Sequence, residues 1–200
     1  MPEVPSLEQV TDLVINGYVP FAEIPRAIPW PNNVSERNEN DAEHSFGLAL
    51  VASSVAQELG LDPSKACQFA VVHDFVERFA DDTSVWDEEG ALTKVDREAA
   101  ALVEIKDRWA HFPWLFQTIE EYDRLDSEEA CLVYALDKLL AVLMITAGDG
   151  YFWRTSGITF EQHEQKAKEV GRKIARHPLV HDWYQQQLEI VSNNRDLLFT

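Results

Sequence analysis

The chain has 200 residues, of which 46% are hydrophobic, so it can bury the core of one domain, and extensive disorder is excluded. Its 17 basic and 35 acidic residues give a net charge of −18 without any basic run, which argues against a nucleic-acid polymer as partner. Residues 1–5 do not resemble a signal peptide and no run approaches the length of a membrane span, so we predict a cytoplasmic protein with no membrane partner.

The N-terminal part of the chain predicts one helix followed by a long irregular segment. Ser6 is a suitable N-cap for a helix over residues 7–16, and Gly17 is expected to end it. Residues 19–41 contain four prolines and four asparagines, which predicts irregular structure. Because a segment of that length is seldom a passive connector, it is a candidate part of a functional site.

Two central helices follow, each marked by sequence signals at its ends. Asp41 is predicted to cap the first of them, and Gly60 can end it in the left-handed conformation. Asp62 then serves as an N-cap, with Pro63 in the first turn of the second helix. This second helix is expected to contain the dipeptide His73-Asp74.

Helical periodicity dominates the rest of the chain, and no strand is predicted. The later helices are expected at about residues 93–109, 113–122, 128–147, 159–175 and 178–193. The predicted fold class is therefore all-α. Cys67 and Cys131 both lie in apolar helical patterns and are expected to be buried free thiols.

Four side chains that can ligate metals fall in apolar helical stretches. His44 and Asp137 each interrupt an apolar pattern, and so does the adjacent pair His73-Asp74. Because a buried carboxylate without a neutralising partner is costly, two imidazoles and two carboxylates facing the core predict a shared cation. One divalent ion is expected, with Mn²⁺, Co²⁺, Zn²⁺, Fe²⁺ and Mg²⁺ as candidates.

Glu77 is a further polar residue near the predicted metal. It follows His73 by four residues and Asp74 by three, so a helix would place it on the same side and one turn along. The spacing therefore predicts a carboxylate beside the metal, without requiring it to be a ligand.

The order of the predicted ligands resembles a known signature. His44, then His73-Asp74, then Asp137 matches the H…HD…D pattern of the HD-domain phosphohydrolases. Three longer segments are similar to the HD-domain 5'-deoxynucleotidases, which remove phosphate from deoxynucleoside monophosphates. These segments are residues 42–45, 73–82 and 129–138.

The resemblance implies an all-α HD-domain helical bundle with a metal site in its core. It covers about residues 20–145, which would form the metal-binding core of a single domain over residues 1–200. The helices at 159–193 are expected to pack on that core. Family members are often homodimers, and apolar residues of these late helices could supply an interface.

The resemblance also implies roles for individual residues. The family's single metal would be bound by four residues, His44, His73, Asp74 and Asp137. The glutamate matching Glu77 is linked to proton transfer or water activation, and the aspartate matching Asp82 positions the attacking water. Asp82 is preferred to Asp81 because it falls five residues after Glu77.

The substrate contacts depart from the family pattern. An Arg-Trp pair usually precedes the first histidine and contacts the nucleotide, whereas here Arg26 and Trp30 are separated by three residues. Arg26 is the first candidate for a phosphate contact and Arg37 the second. Arg26 and Trp30 are accordingly the predicted substrate-binding residues.

The expected function is removal of the 5'-phosphate from a deoxynucleoside monophosphate, a small nucleotide substrate. A triphosphohydrolase that releases tripolyphosphate from a dNTP could use the same core, and a non-catalytic nucleotide-sensing module is a third reading. A two-metal oxygenase is disfavoured because His111 is the one histidine between the HD pair and Asp137.

Ordinary structural roles are the alternative for each residue taken alone. His44 and His73 could be satisfied core histidines, Asp74 could pair with Arg78 on a helix surface, and Asp137 could face solvent. Their occurrence together at the family spacing favours the metal site. The histidines of the polar C-terminal part are expected on the surface: His163, His177 and His181.

Overall fold

The structure, a computed structural model, describes residues 4–84 and 86–200. The helices are α1 (Leu7–Asp12), α2 (Val19–Phe21), α3 (Asp41–Leu59), α4 (Pro63–Val72), α5 (Glu77–Ala80), α6 (Glu88–Arg108), α7 (Pro113–Asp123), α8 (Glu128–Ala147), α9 (Tyr151–Thr155), α10 (Phe160–Ile174), α11 (Pro178–Asn193) and α12 (Arg195–Phe199). The all-α prediction is confirmed. The prediction that no strand occurs was wrong, because β1 (Pro25–Pro29) pairs antiparallel with β2 (Asn38–Asn40) inside the proline-rich segment.

Helix α8 forms the centre of the core. It packs against α3 and α4 on one part of its surface and against α10 and α11 on another. The largest fully buried side chains around it are Leu48, Phe69, Leu132, Leu136, Trp153 and Tyr184. A smaller apolar cluster lies among α5, α6 and α7, where Phe75 packs on Trp109 with ring centroids 5.8 Å apart.

The length and composition of α8 would also allow it to cross a membrane, so the prediction that no run approaches that length was wrong. Half of its most apolar window is buried inside the protein. A core helix of a globular domain passes the same test, and one such helix is weak evidence for a membrane span.

The N-terminal helix runs past Gly17, contrary to prediction. A π-helical turn over Leu13–Tyr18 joins α1 to α2. A Cβ atom at Gly17 would lie 3.1 Å from the ring of Trp109, which is tighter than normal contact. The close approach of this indole ring therefore favours glycine at position 17, and the residue does not end the helix.

The ends of α3 and the start of α4 follow the predicted signals closely. Asn40, one residue before the predicted Asp41, is the N-cap of α3, and its side chain and that of Glu43 form a capping box. Gly60 ends the helix with φ of 72°, as predicted. Asp62 caps α4 by accepting hydrogen bonds from two backbone N–H groups.

The dipeptide His73-Asp74 does not lie inside a helix as predicted, because α4 ends at Val72. The following residues form tight turns with hydrogen bonds over three residues, such as Phe75 N to Val72 O at 3.0 Å and Glu77 N to Asp74 O at 2.9 Å. Such turns rotate successive side chains further than an α-helix does. This change of direction helps His73 and Asp74 to face one common point.

The later helices lie within a few residues of the predicted ranges, with two additions. α6 begins earlier than predicted because Asp87 caps it. α9 and α12 were not predicted, and α9 starts after the residues Asp149 and Gly150, both with positive φ. Cys67 and Cys131 are free, as predicted, but half-buried.

Candidate metal centre

Three helical segments bring the four predicted ligands into one cluster. His44 lies in the first turn of α3, His73 and Asp74 follow α4, and Asp137 lies in the middle of α8. The first three offer donor atoms that all lie within 4.8 Å of one another. His44 Nε2 is also 3.0 Å from Asp137 Oδ1. The four residues therefore meet at one point, across three segments that are distant in sequence.

His73 has one ring nitrogen available for a ligand. Its Nδ1 lies 2.9 Å from the carbonyl oxygen of Ala70, and because a carbonyl can only accept, Nδ1 carries the hydrogen. Its buried Nε2 has no hydrogen-bond partner among the described residues, although Asp74 Oδ2 lies 2.9 Å away. A buried lone pair beside a carboxylate is the arrangement that a cation would stabilise.

His44 is held between two carboxylates. Its Nε2 faces Asp137, and its Nδ1 lies 3.3 Å from Oε2 of Glu39, a buried residue of β2. Burial opposes the charged form of the ring, but the bonds with Asp137 and Glu39 outweigh it and raise the pKa of His44 to about 9. Glu39 thus orients the ring of His44 from behind, as outer partners of metal ligands do.

Cationic side chains of the protein contact both ligand carboxylates. Arg26 Nη1 is 2.7 Å from Asp74 Oδ2 and 3.3 Å from Asp41 Oδ1, and Lys138 Nζ is 2.7 Å from Asp137 Oδ2. Burial would raise the pKa of each ligand carboxyl. His73 and Arg26 beside Asp74, and Lys138 and His44 beside Asp137, hold both pKa values below the usual range. Both carboxylates are therefore ionised.

A second group of carboxylates adjoins the first and shares Asp74. Asp41, Asp74 and Glu77 offer oxygens within 4.8 Å of one another, and Glu77 is only 3% exposed. Burial and the neighbouring charges of Asp74 and Asp82 raise the pKa of Glu77 to about 10. Glu77 Oε1 lies 3.5 Å from Lys94 Nζ, and its Oε2 has no partner among the described residues. Glu77 thus holds a proton beside the cluster at neutral pH.

Two cavities open onto this cluster. The smaller, of about 130 Å³, contains Arg26, Glu77 and Asp82 in its wall and has an apolar side that includes Trp86 and Phe152. The larger, of about 430 Å³, is more polar. Six residues line both: Asp74, Thr83, Ser84, Lys94, Asp137 and Lys138. The ligand carboxylates therefore lie where the two cavities meet.

Asp82, and not Asp81, faces the site, as the spacing predicted. Asp82 is partly buried in the wall of the smaller cavity, whereas Asp81 is exposed with φ of 59°. Burial raises the pKa of Asp82, an effect that the charge of Arg26 opposes. Arg26 also lines this cavity, with a side chain that is 13% exposed.

Trp30 and Arg37 are not brought to the site. The guanidinium of Arg37 lies 4.5 Å above the ring of Trp30 and pairs with Glu43 at 2.7 Å on the surface. Within the described part of the chain, neither residue lines the two cavities. Arg26 lies in β1, whereas Trp30 follows the end of that strand and caps the 3₁₀ turn Pro31–Asn33. The predicted substrate contact of Trp30 therefore lacks structural support, and Trp86 is the tryptophan in the cavity wall.

The remaining histidines lie elsewhere. His111 is exposed in a groove beside α1, so it is not placed to be an extra ligand. His163 is only 5% exposed, contrary to the prediction that it lies on the surface. His177 caps α11 and, like His181, is half-buried.

Sequence reasoning missed several residues of the site. Glu39 reaches His44 only because β2 pairs with β1, and Lys94 reaches Glu77 from α6. Lys138 directly follows Asp137 in the sequence, so the sequence already indicated a positive charge beside this buried carboxylate. The donor set, the free Nε2 of His73 and the oriented ring of His44 together fit a divalent metal ion.

Comparison with known proteins places this geometry in context. The model of a protein family, the HD domain, matches residues 24–177. Among solved structures, the chain is similar to a predicted metal-dependent phosphohydrolase from Magnetospirillum magnetotacticum MS-1, with 23% identity and a TM-score of 0.77 over the whole of both chains. It is also similar to a conserved hypothetical protein from Pyrococcus furiosus, with 24% identity and a TM-score of 0.61 over 88% of this chain and 99% of the other. At these identities the two structures show a shared fold. No curated protein matches the chain.

Proposed function

This chain belongs to the HD-domain family, and on that premise we propose that it is a metal-dependent phosphohydrolase acting on a small nucleotide. The observation that carries the proposal is the buried cluster of His44, His73, Asp74 and Asp137, in which His73 Nε2 is free to bind a cation. The similarity to a predicted metal-dependent phosphohydrolase supports the same reaction class.

The proposed mechanism assigns one role to each side chain around the ligands. A divalent ion bound there lowers the pKa of water and neutralises charge on phosphate. Arg26, whose side chain reaches the smaller cavity, stabilises the negative charge of the phosphoryl group. Asp82 orients the attacking water and accepts its proton, and Glu77 donates the proton that it holds to the leaving oxygen. Water adds to phosphorus, the bond from phosphorus to the 5'-oxygen breaks, and that oxygen leaves protonated.

Two substrates fit this core. The resemblance to 5'-deoxynucleotidases makes a deoxynucleoside 5'-monophosphate the first to test, and the apolar wall with Trp86 and Phe152 offers a surface for a base. The second candidate is a dNTP, cleaved to release tripolyphosphate, which is favoured by the lysine residues of the larger cavity. Both reactions use the same metal ligands.

Product identity is the test of this proposal. The full-length protein, loaded with Mn²⁺, Co²⁺ or Mg²⁺, is incubated with dNMPs, NMPs and dNTPs, and free phosphate and tripolyphosphate are assayed separately. We expect turnover of at least one nucleotide that depends on added metal. A protein that binds metal at the cluster but turns over no nucleotide would contradict the proposal and favour a nucleotide-sensing module.

Location and assembly are part of the same proposal. A cytoplasmic protein without a membrane partner agrees with a small nucleotide substrate. A homodimer was predicted with an interface on the late helices, but two conspicuous exposed apolar side chains belong to α3: Phe46 is 73% exposed and Leu50 61%. Light scattering of the wild type and of Phe46→Ser tests whether a dimer forms and whether it uses this face.

A further inference from the structure

Lysine residues are concentrated in the larger cavity of the metal centre. Four of the seven lysines in the chain line this cavity of about 430 Å³, although the net charge is −18. They are Lys94 of α6, Lys138 of α8 and, from α10, Lys166 and Lys173. Five carboxylates line the same cavity, two of them the proposed metal ligands Asp74 and Asp137, so the four lysines offset most of the acidic charge there.

The two lysines of α10 share one face of that helix. Lys166, Glu169, Val170 and Lys173 line the cavity, and their spacings of three, four and seven residues are those of a single helical face. Lys168 and Arg172 lie on another face, in the groove between α10 and α11. The basic residues of α10 are thus divided between the metal centre and a separate surface.

The neighbouring acids leave these lysines available to a ligand. Lys166 pairs with Glu169 at 3.1 Å, but both side chains are about one-third exposed, so water already competes for that pair. Within residues 4–84 and 86–200, Lys173 has no salt-bridge partner. Glu98 and Asp123 also line the cavity, and Lys94 contacts Glu98 at 3.3 Å.

We propose that Lys166 and Lys173 form a subsite for a second phosphate group of the substrate, beyond the phosphoryl group that is attacked. This inference rests on the proposed function and selects its substrate class: a nucleotide with two or more linked phosphates is preferred to a monophosphate. A cavity of this size holds a small ligand, and lysine ammonium groups on flexible stems bind phosphate oxygens without a fixed geometry.

The first experiment compares two charge-matched double variants. Lys166→Gln/Lys173→Gln removes the face that lines the cavity, and Lys168→Gln/Arg172→Gln removes two positive charges from the other face of the same helix. In the first variant we expect kcat/KM for a dNTP to fall by about tenfold and that for the dNMP by less than about twofold. The control should match the wild type on both substrates. Equal losses on both substrates, or no loss on the dNTP, would overturn the subsite.

A second measurement separates the subsite from the proposed activity. Titration calorimetry of the metal-loaded, full-length protein compares inorganic tripolyphosphate with orthophosphate. We expect the wild type to bind tripolyphosphate about tenfold more tightly than Lys166→Gln/Lys173→Gln does, with no difference for orthophosphate. If this holds while no nucleotide is hydrolysed, the phosphohydrolase proposal fails and the subsite stands. If nucleotides are hydrolysed but the two proteins bind tripolyphosphate equally, the subsite fails and the activity stands.

Discussion

Two regions of this protein bury histidine residues to the same extent and give them opposite properties. His44 in the metal centre is 4% exposed, and His163 near the C-terminus is 5% exposed. The pKa of His44 is raised to about 9 by its bonds to Asp137 and Glu39, whereas burial alone lowers the pKa of His163 to about 4. Burial therefore does not identify a functional histidine, and the carboxylates around it do.

The surroundings of His163 explain its neutral state. Its ring packs against Trp153 and Phe199, with centroid distances of 4.6 and 5.5 Å. No described residue accepts or donates a hydrogen bond at its Nε2. A cation would be poorly stabilised in this aromatic cluster. His163 thus serves packing, while His44 and His73 are available to a metal.

The largest effect is expected when a metal ligand is removed. His73→Ala or Asp137→Ala should lose bound metal, and turnover should fall by about 1,000-fold or more because a bound ion would activate the attacking water and neutralise charge on phosphate. Metal content by elemental analysis and initial rates measure this. His163→Phe is the control from the other region and should keep both. Retained activity in Asp137→Ala would contradict the ligand assignment.

A variant of Glu77 distinguishes loss of metal binding from loss of turnover. Its carboxyl group is buried beside the cluster and is not needed as a ligand, so Glu77→Gln should keep about one metal ion per chain and lose about 100- to 10,000-fold in turnover. Elemental analysis and initial rates are again the measurements. Loss of metal in this variant would instead make Glu77 a ligand, and unchanged rates would remove it from the mechanism.

Glu39 tests whether the carboxylates behind the histidines matter. Because Glu39 contacts Nδ1 of His44, Glu39→Ala should weaken metal affinity by about 10- to 100-fold. The control is Glu36→Ala, an exposed glutamate of the same hairpin. Competition with a metal-binding dye measures both affinities. Equal affinities would show that the orientation of His44 does not depend on Glu39.

The smallest expected effect concerns stability in the region of His163. Since the pKa of His163 in the folded protein, about 4, lies below the ordinary histidine pKa of 6.5, the unfolded chain binds the proton first, and stability falls as pH drops from 6.5 toward 4. Between pH 7 and pH 5 the wild type should lose about 2 kcal/mol more free energy of unfolding than His163→Phe. Urea unfolding at both pH values measures the difference. Parallel losses in the two proteins would contradict the buried neutral histidine.

The same comparison shows what sequence could predict. The four proposed ligands and Glu77 were predicted because they interrupt apolar patterns at a family spacing, and the structure brings them together. His163 was wrongly predicted to lie on the surface because its neighbours in the sequence are polar. Yet Phe160, His163, Ala167 and Ile174 recur at helical spacing, so the apolar stripe of α10 passes through His163.

The rest of the site depends on contacts that local patterns do not encode. Glu39 is brought to the site by the pairing of β1 with β2. Lys94 is brought there by the packing of α6 beside α5. Trp86 occupies the cavity wall where the family resemblance suggested Trp30, whereas Trp30 packs on Arg37 and donates a backbone hydrogen bond to its carbonyl oxygen. Long-range packing, rather than the motif, selects these residues.

The most direct test of the metal centre is anomalous diffraction from a crystal grown with Mn²⁺ or Co²⁺. The account predicts one strong peak about 2.0–2.2 Å from side-chain atoms of His44, His73, Asp74 and Asp137. A peak bound elsewhere in the protein, or these four side chains turned apart with no ion between them, would contradict it.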